Sequence, residues 1–183
     1  MTPNLVLQTL GTIWNQLEQQ GLQVTLVGGL TLPIWNYPRS TQDIDLLLLV
    51  EDDQQLLLIC EGLHCQPRRS PAIVELGSVR VLQTQYCPLD TYVDIDVDFL
   101  LGRSTFHEQV TSRAITIDYA GLGSKLRVAT CEDLILLKLQ SSRLIDLADC
   151  QRLIELNPGL DWEYLEHWSG ELGLSDALIR IKG

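Results

Sequence analysis

The sequence predicts an α+β fold, in which a mixed β-sheet has helices on its faces and is followed by a small C-terminal helical tail. Two patterns indicate this class. Up to about residue 129, short apolar segments of strand length alternate with segments of helical periodicity. Beyond residue 130 the pattern is helical alone. With 183 residues, of which 45% are hydrophobic, the chain has the length and composition of one folded domain.

The first predicted helix covers 3–20. Its apolar residues recur at steps of three and four and share one face: Leu7, Leu10, Trp14 and Leu17. A short strand at 24–27 then runs into the pair Gly28-Gly29. The segment 30–36 is predicted as a short helix, disturbed by its proline.

The strongest predicted strand is 43–50, since its continuous apolar run is typical of a strand that is buried on both faces. A helix is expected over 54–63. Two further strands, 72–76 and 79–83, flank Gly77-Ser78 and predict a hairpin.

Apolar and acidic residues alternate through 92–101, which predicts another strand. We then expect a short helix at 104–112 and two short strands at 115–119 and 126–129.

The tail begins at Thr130, a helix cap followed by acids in the first turn. We expect one helix to about residue 142, a second over 144–156 and a last one over 161–170. The run Asn157-Pro158-Gly159 ends the second helix.

Charge and cysteine content narrow the function classes. There are 24 acidic and 13 basic residues, a net charge of −11, which disfavours a broad surface for nucleic acid or anionic membrane. No apolar run approaches the roughly 18 residues of a membrane span. Five scattered cysteines do not form a disulfide framework, and 1–4 lack the basic start of a signal peptide. We therefore expect a cytoplasmic protein.

The acid pair Asp43-Ile44-Asp45 carries the functional hypothesis. Alternate residues of a strand point to the same side, so both carboxylates share one face while Ile44 points into the core. Two carboxylates about 6–7 Å apart repel each other unless a cation lies between them. Oxygen ligands suit Mg²⁺, so the pair predicts a divalent metal site.

Upstream residues suggest an anion site next to these acids. The glycines Gly28 and Gly29 leave the backbone free to approach a ligand closely, and the turn that follows offers N–H groups to an anion. Arg39, four residues before Asp43, is suited to a phosphate contact.

The run Val27-Gly28-Gly29, followed by Arg39-Ser40-Thr41-Gln42-Asp43-Ile44-Asp45-Leu46, resembles the signature of the polymerase-beta-like nucleotidyltransferase superfamily. The residue pattern is most similar to that of a bacterial branch that includes AbiEii toxin-like proteins and small stand-alone nucleotidyltransferases. The resemblance implies an NTP bound through its triphosphate and two Mg²⁺ ions held by three carboxylates, the first two being Asp43 and Asp45. It also implies a nucleotidyltransferase core over 1–129 and a helical segment over 130–183 packed on it.

The third carboxylate is expected on a later strand, where Asp94, Asp96 and Asp98 share one face. We favour Asp98, because Val97-Asp98-Phe99-Leu100 is similar to the family's acid followed by apolar residues. Asp96 remains the alternative.

The tail resembles the same branch. Glu132-Asp133-Leu134-Ile135-Leu136-Leu137-Lys138, then Arg143, Asp146 and Asp149, match its spacing of a lysine, an arginine and two acids. If one helix is continuous, Lys138 and the two later acids fall on one stripe. Lys138 lies in an apolar run and needs a partner. A structural ion pair and a nucleotide contact both remain open.

The function predicted is the metal-dependent transfer of an NMP from an NTP to an acceptor hydroxyl, with Mg²⁺ or Mn²⁺ and release of pyrophosphate. The acceptor is a protein, a small molecule or a tRNA, and the net charge weighs against tRNA. A toxin or defence role would fit the branch. The alternative is an inactive protein with this fold that binds a cognate antitoxin or another partner protein.

Overall fold

The computed structural model describes residues 5–119 and 125–182. One mixed sheet contains the strands β1 (Val24–Val27), β2 (Ile44–Leu49), β3 (Gln66–Pro67), β4 (Ile73–Leu76), β5 (Val79–Tyr86), β6 (Ile95–Gly102), β7 (Ile115–Asp118) and β8 (Lys125–Val128). The α-helices are α1 (Leu5–Gln19), α2 (Asp53–Gly62), α3 (Thr105–Arg113), α4 (Cys131–Ser141), α5 (Leu144–Leu156), α6 (Trp162–Glu171) and α7 (Ser175–Lys182). The predicted α+β class is therefore confirmed.

The sheet order is β3-β5-β6-β2-β1-β8-β7, with β4 paired to β5. At its centre β2 runs parallel to β6 and antiparallel to β1. The register places Asp45 of β2 directly between Val27 of β1 and Asp98 of β6. Residues about 50 positions apart in the chain thus become lateral neighbours, roughly 4.8 Å apart across the strands.

Two hydrophobic cores lie on opposite faces of the sheet. Helices α1 and α2 cover one face, on which Leu46 and Leu48 of β2 are buried. Helices α3 to α7 cover the other, on which Leu47 of β2 and Leu100 of β6 are buried. The strand β2 is thus buried on both faces, as its apolar run predicts. Because side chains alternate, Asp45 and Asp98 belong to the face of Leu47 and Leu100, beneath α4 and α5.

The helical tail has its first corner where the sequence predicts it. The helix α4 begins after the expected cap, with Thr130 accepting from the Asp133 N–H, and it ends at Ser141. Ser142 adopts a left-handed conformation with φ 56°, and α5 begins at Leu144. Lys138 therefore reaches Asp146 and Asp149 across this corner and not along one continuous helix. The division into 1–129 and 130–183 stays a proposal.

Other differences are local. The segment predicted as a helix at 30–36 is a 3₁₀ helix, Gly29–Trp35, which suits its internal proline. The strand predicted from residue 92 begins at Ile95, and α7 and β3 were not predicted. Residues 3 and 4 of the first predicted helix lie outside the described residues. No helix within 5–119 and 125–182 combines the length and apolar character needed to cross a bilayer.

Candidate active site

Three carboxylates meet in one cleft at the ends of the central strands. Asp45 and Asp98 are paired residues of β2 and β6, and Asp43 precedes β2 by one residue. All three line a cavity of about 250 Å³, together with Gly28 and Gly29 at the end of β1. The spatial convergence expected from the motifs is present.

Burial is the main influence on the pKa of two of these acids, and neighbouring negative charges add to it. Burial, and then the negative charges of Asp98 and Asp43, raise the pKa of Asp45 to about 7, against the opposing effects of Lys138 and the Gly29 N–H. Burial also raises the pKa of Asp98, although Arg68 and Gln83 oppose it. An excess of negative charge therefore lies at this end of the cleft, where a bound cation would relieve it.

The two glycines allow the backbone to approach these acids. Gly28 has φ 68°, and a Cβ at this position would overlap the Asp45 carboxylate. The Gly29 N–H donates to Asp45 Oδ2 at 3.4 Å, and a Cβ on Gly29 would lie 2.9 Å from the Thr41 side chain. Glycine is therefore required at both positions by space, and at the first by conformation as well.

Gly28→Ala should displace Asp45 and weaken the binding of NTP with Mg²⁺ by at least about tenfold, the size of effect seen when a metal ligand is disoriented. The matched control is Gly173→Ala, since Gly173 has a similar φ of 69° but open space around its Cβ position. Both variants should lose about 1–3 kcal/mol of stability from left-handed strain. Calorimetric titration of nucleotide should separate them, and equal affinity in the two variants would contradict the contact with Asp45.

The carboxylate oxygens at the acidic end of the cleft are suitable ligands for a divalent metal, but they are not positioned to surround one. Carboxylate oxygens are the ligands that Mg²⁺ prefers. Among the described residues, however, no group of three or more His, Cys, Asp or Glu is placed to hold an ion. Asp98 is held by its neighbours: its Oδ1 accepts from Arg68 Nη2 at 2.6 Å, and its Oδ2 accepts from Gln83 Nε2 at 3.1 Å. Arg68 also bonds Asp96 through Nη1.

The opposite wall is formed by α4 and α5 and carries buried charge. Lys138 Nζ donates to Asp146 Oδ1 at 2.9 Å and to Asp149 Oδ2 at 2.8 Å. The two acids expose only 2% and 1% of their side chains. Burial lowers the pKa of Lys138, but the two carboxylates raise it further, so the ammonium stays charged. The ion pair expected for Lys138 is thus present with both acids.

Two arginines complete this wall. Arg143 Nε donates to Asp146 Oδ2 at 2.6 Å, and Arg39 Nη2 lies 3.6 Å from Asp149 Oδ2. Three cations therefore share two carboxylates, which leaves a surplus of one positive charge. Lys138 lowers the pKa of Asp45 across the cleft. The hydrogen bond to Asp146 raises the pKa of Arg143, and the charges of Asp45 and Asp98 add to this rise. Eight apolar side chains also line the cavity: Val27, Leu76, Val79, Val81, Leu100, Leu134, Leu137 and Ile145.

Asp45→Asn should stabilise the nucleotide-free protein by about 1–3 kcal/mol at pH 8. A carboxyl whose folded pKa lies near 7, above its unfolded 3.8, holds a proton in the folded state that the unfolded state has lost, so wild-type stability falls as pH rises through this window. The gain should shrink at pH 5. Urea unfolding at both pH values measures it, and a pH-independent difference would refute the raised pKa.

The seven residues proposed from the sequence as catalytic, metal or nucleotide ligands line this one cavity: Gly28, Gly29, Arg39, Asp43, Asp45, Asp98 and Lys138. The alternative third carboxylate, Asp96, does not line it. Sequence reasoning missed Arg68, Gln83 and Ser141, whose Oγ bonds Asp146. Arg68 is 30 residues from Asp98, and only the pairing of β3 with β5 brings it close.

Two solved structures have a similar fold. The antibiotic-resistance factor ANT(2'')-Ia, in solution, has a TM-score of 0.55 and 15% identity over 95% of this chain and 94% of its own. The lincosamide antibiotic adenylyltransferase LnuA, in a lincomycin-bound crystal structure, has a TM-score of 0.51 and 15% identity over 81% of this chain and 96% of its own. No curated protein sequence matches significantly.

The family model described as "Nucleotidyltransferase of unknown function (DUF6036)" matches residues 7–172, most of the chain and every residue of the cleft. This match does not identify the AbiEii-like branch, which stays a prediction. The chain belongs to this nucleotidyltransferase family.

Proposed function

We propose that the protein transfers an NMP from an NTP to the hydroxyl of an acceptor, using Mg²⁺ or Mn²⁺. The observation that carries this proposal is that negative and positive side chains lie at opposite ends of the cleft. Asp43, Asp45 and Asp98 lie at one end, and a wall with surplus positive charge lies opposite. A triphosphate complexed with divalent metal has both kinds of charge and matches both ends.

In this mechanism the acceptor oxygen attacks the α-phosphorus, the bond between the α-phosphorus and the oxygen bridging to the β-phosphorus breaks, and pyrophosphate leaves. Asp43 and Asp45 would hold the metal, together with Asp98 once an oxygen of Asp98 is free. The bound metal supplies charge compensation for the triphosphate and the acceptor oxygen. Asp98 would accept the acceptor's hydroxyl proton.

The remaining residues would bind and orient the nucleotide. At the Gly28-Gly29 turn, the backbone would approach the phosphates closely. Arg39 and Lys138 would contact the triphosphate from the opposite wall, joined by Arg143, which the geometry adds to the set. The apolar side chains between the two ends provide a surface for the flat faces of a base or for an apolar part of the acceptor.

Two observations bear on the acceptor. The similar structure LnuA is an adenylyltransferase for a lincosamide antibiotic. This favours a small molecule with a hydroxyl group, and the net charge of −11 disfavours tRNA. A protein hydroxyl, as a toxin or defence role would require, is the remaining class.

The decisive experiment incubates the protein with each α-labelled NTP and Mg²⁺, together with either the small-molecule or the protein fraction of a cell extract. We expect label transfer to the small-molecule fraction and release of pyrophosphate. Label in protein would support the toxin-like class instead. A protein that binds NTP yet labels neither fraction would favour the second candidate.

That second candidate is an inactive nucleotidyltransferase fold that binds a partner protein. One observation favours it, namely that both oxygens of Asp98 are engaged by Arg68 and Gln83. Each oxygen of Asp98 keeps one free lone pair, but the carboxylate is oriented by protein donors rather than by an ion. If Arg68 stays on Asp98 when nucleotide binds, the site is inactive. If Arg68 releases Asp98, the site can bind metal.

A further inference from the structure

We propose that Arg68 is an internal counter-ion of Asp98, the third carboxylate. Its guanidinium pairs with Asp98 in the free protein and moves away from Asp98 when metal and NTP bind together. The inference rests on the proposed function and deepens it. It predicts that the free site binds divalent metal weakly because Arg68 already neutralises Asp98.

The position of Arg68 is set by the sheet. It follows β3 directly, and its N–H donates to the Gln83 carbonyl of β5 at 3.0 Å. Its side chain then crosses β5 to reach Asp96 and Asp98 on β6. One guanidinium therefore bridges two carboxylates of the same strand face, the planar geometry for which arginine is suited.

The attachment of Arg68 allows it to be exchanged. Its side chain is 22% exposed, so the guanidinium borders solvent. Its Nε is buried without a hydrogen-bond partner among the described residues, and the two carboxylates are its side-chain partners there. A cation that binds Asp98 would therefore displace the guanidinium from one partner only, while Asp96 would still hold it.

The charge of Arg68 is expected to lower the affinity of the free site for metal. Asp43, Asp45 and Asp98 would present three negative charges to a metal, and Arg68 cancels one of them in the free protein. A unit charge within a few ångströms of a divalent ion changes its affinity by at least about tenfold, even at a high effective dielectric constant. An NTP adds its phosphate oxygens as metal ligands, and this favours the replacement of the Arg68 guanidinium by metal at Asp98.

A different role for Arg68 would have the opposite effect. If it only orients Asp98 for metal, removing it should weaken metal binding, because a misplaced carboxylate is a poorer ligand. If it only stabilises the sheet, removing it should leave metal affinity unchanged. The sign of the change in affinity thus separates the three roles.

The test is a titration of the nucleotide-free protein with Mn²⁺, followed by electron paramagnetic resonance of the free ion. Arg68→Gln should bind Mn²⁺ about tenfold more tightly than the wild type. Arg68→Lys retains the charge and should stay within about twofold of the wild type. The matched control is Arg80→Gln, because Arg80 pairs with Asp53, which does not line the cleft. Unchanged or weaker binding by a folded Arg68→Gln would overturn the proposal.

A second measurement does not depend on Arg68→Gln, in case that variant does not fold. Side-chain ¹⁵N resonances of arginine are followed as Mg²⁺ and a non-hydrolysable NTP are added, with Arg68→Lys to assign the signal. The Arg68 signal should shift and that of Arg80 should not. If the wild type binds no metal even with nucleotide, the proposed function fails. If it does, and Arg68 neither shifts nor affects Mn²⁺ affinity, only the counter-ion role fails.

Discussion

Asparagine at both Asp43 and Asp45 should abolish the stabilisation of the protein by NTP with Mg²⁺. Both carboxylates line the cleft at the end of β2, and burial, with a smaller contribution from the charges of Asp98 and Asp43, raises the pKa of Asp45. In the wild type, ligand at a hundred times its dissociation constant adds about 2.7 kcal/mol to stability. For a domain of this length that is a rise of roughly 5–10 °C in Tm.

Thermal unfolding with and without Mg²⁺ and each NTP measures this effect. The double variant should show no metal-dependent shift, and transfer should fall by more than about 100-fold. The matched control is Asp94→Asn, which removes an exposed carboxylate just before β6. A double variant that kept the full shift would show that the nucleotide binds without these acids.

The parts of the site that the sequence predicted are those encoded by short-range pattern. Gly28 and Asp45 lie within 20 residues of each other, and strand alternation alone places Asp43 and Asp45 on one side. The placement of Asp98 beside Asp45 was implied by the resemblance to the nucleotidyltransferase superfamily, and the pairing of β2 with β6 brings the two residues together. Local sequence rules therefore suffice for Asp43 and Asp45, whereas Asp98 needed the family pattern.

The parts that were missed depend on long-range geometry. Arg68 reaches the site because the two-residue strand β3 pairs with β5, and a strand this short has no periodicity to detect. The helix α7 has only eight residues, of which Leu178 and Ile181 are buried.

Lys138→Met should lower the free energy of unfolding by about 3–5 kcal/mol at pH 7, the cost of leaving one side of a buried ion pair without its partner. Methionine keeps most of the side-chain volume, so the loss is electrostatic. Asp146 and Asp149 stay buried, and only Arg143 and the more distant Arg39 remain to compensate them.

The matched control is Lys182→Met. Lys182 Nζ lies 3.0 Å from Glu166 Oε1, a distance close to those at Lys138, but both side chains are about half exposed. An exposed pair contributes less than about 1 kcal/mol. Urea unfolding of the two variants therefore compares the same substitution in a buried and an exposed ion pair, and equal losses would refute the importance of burial.

The pH dependence gives a second check. Burial alone would raise the pKa of Asp146, but its contacts with Arg143, Lys138 and Ser141 hold this pKa below its usual value. A lowered carboxyl pKa contributes stability above the unfolded value of about 3.8, and this stability is lost as pH falls through the folded pKa. Without Lys138 the buried acids should take up protons at higher pH. The difference between wild type and Lys138→Met should therefore be smaller at pH 5 than at pH 8.

The same variant decides whether Lys138 also serves the nucleotide. Lys138 lines the cleft and opposes the rise in the pKa of Asp45, so its ammonium acts on the acidic end across the cavity. We expect both roles, with Asp146 and Asp149 orienting a lysine that faces the triphosphate. NTP affinity, measured at a temperature where the variant is fully folded, should fall about tenfold, as expected for the loss of a charged contact. A destabilised variant with wild-type NTP affinity would assign Lys138 to the fold alone.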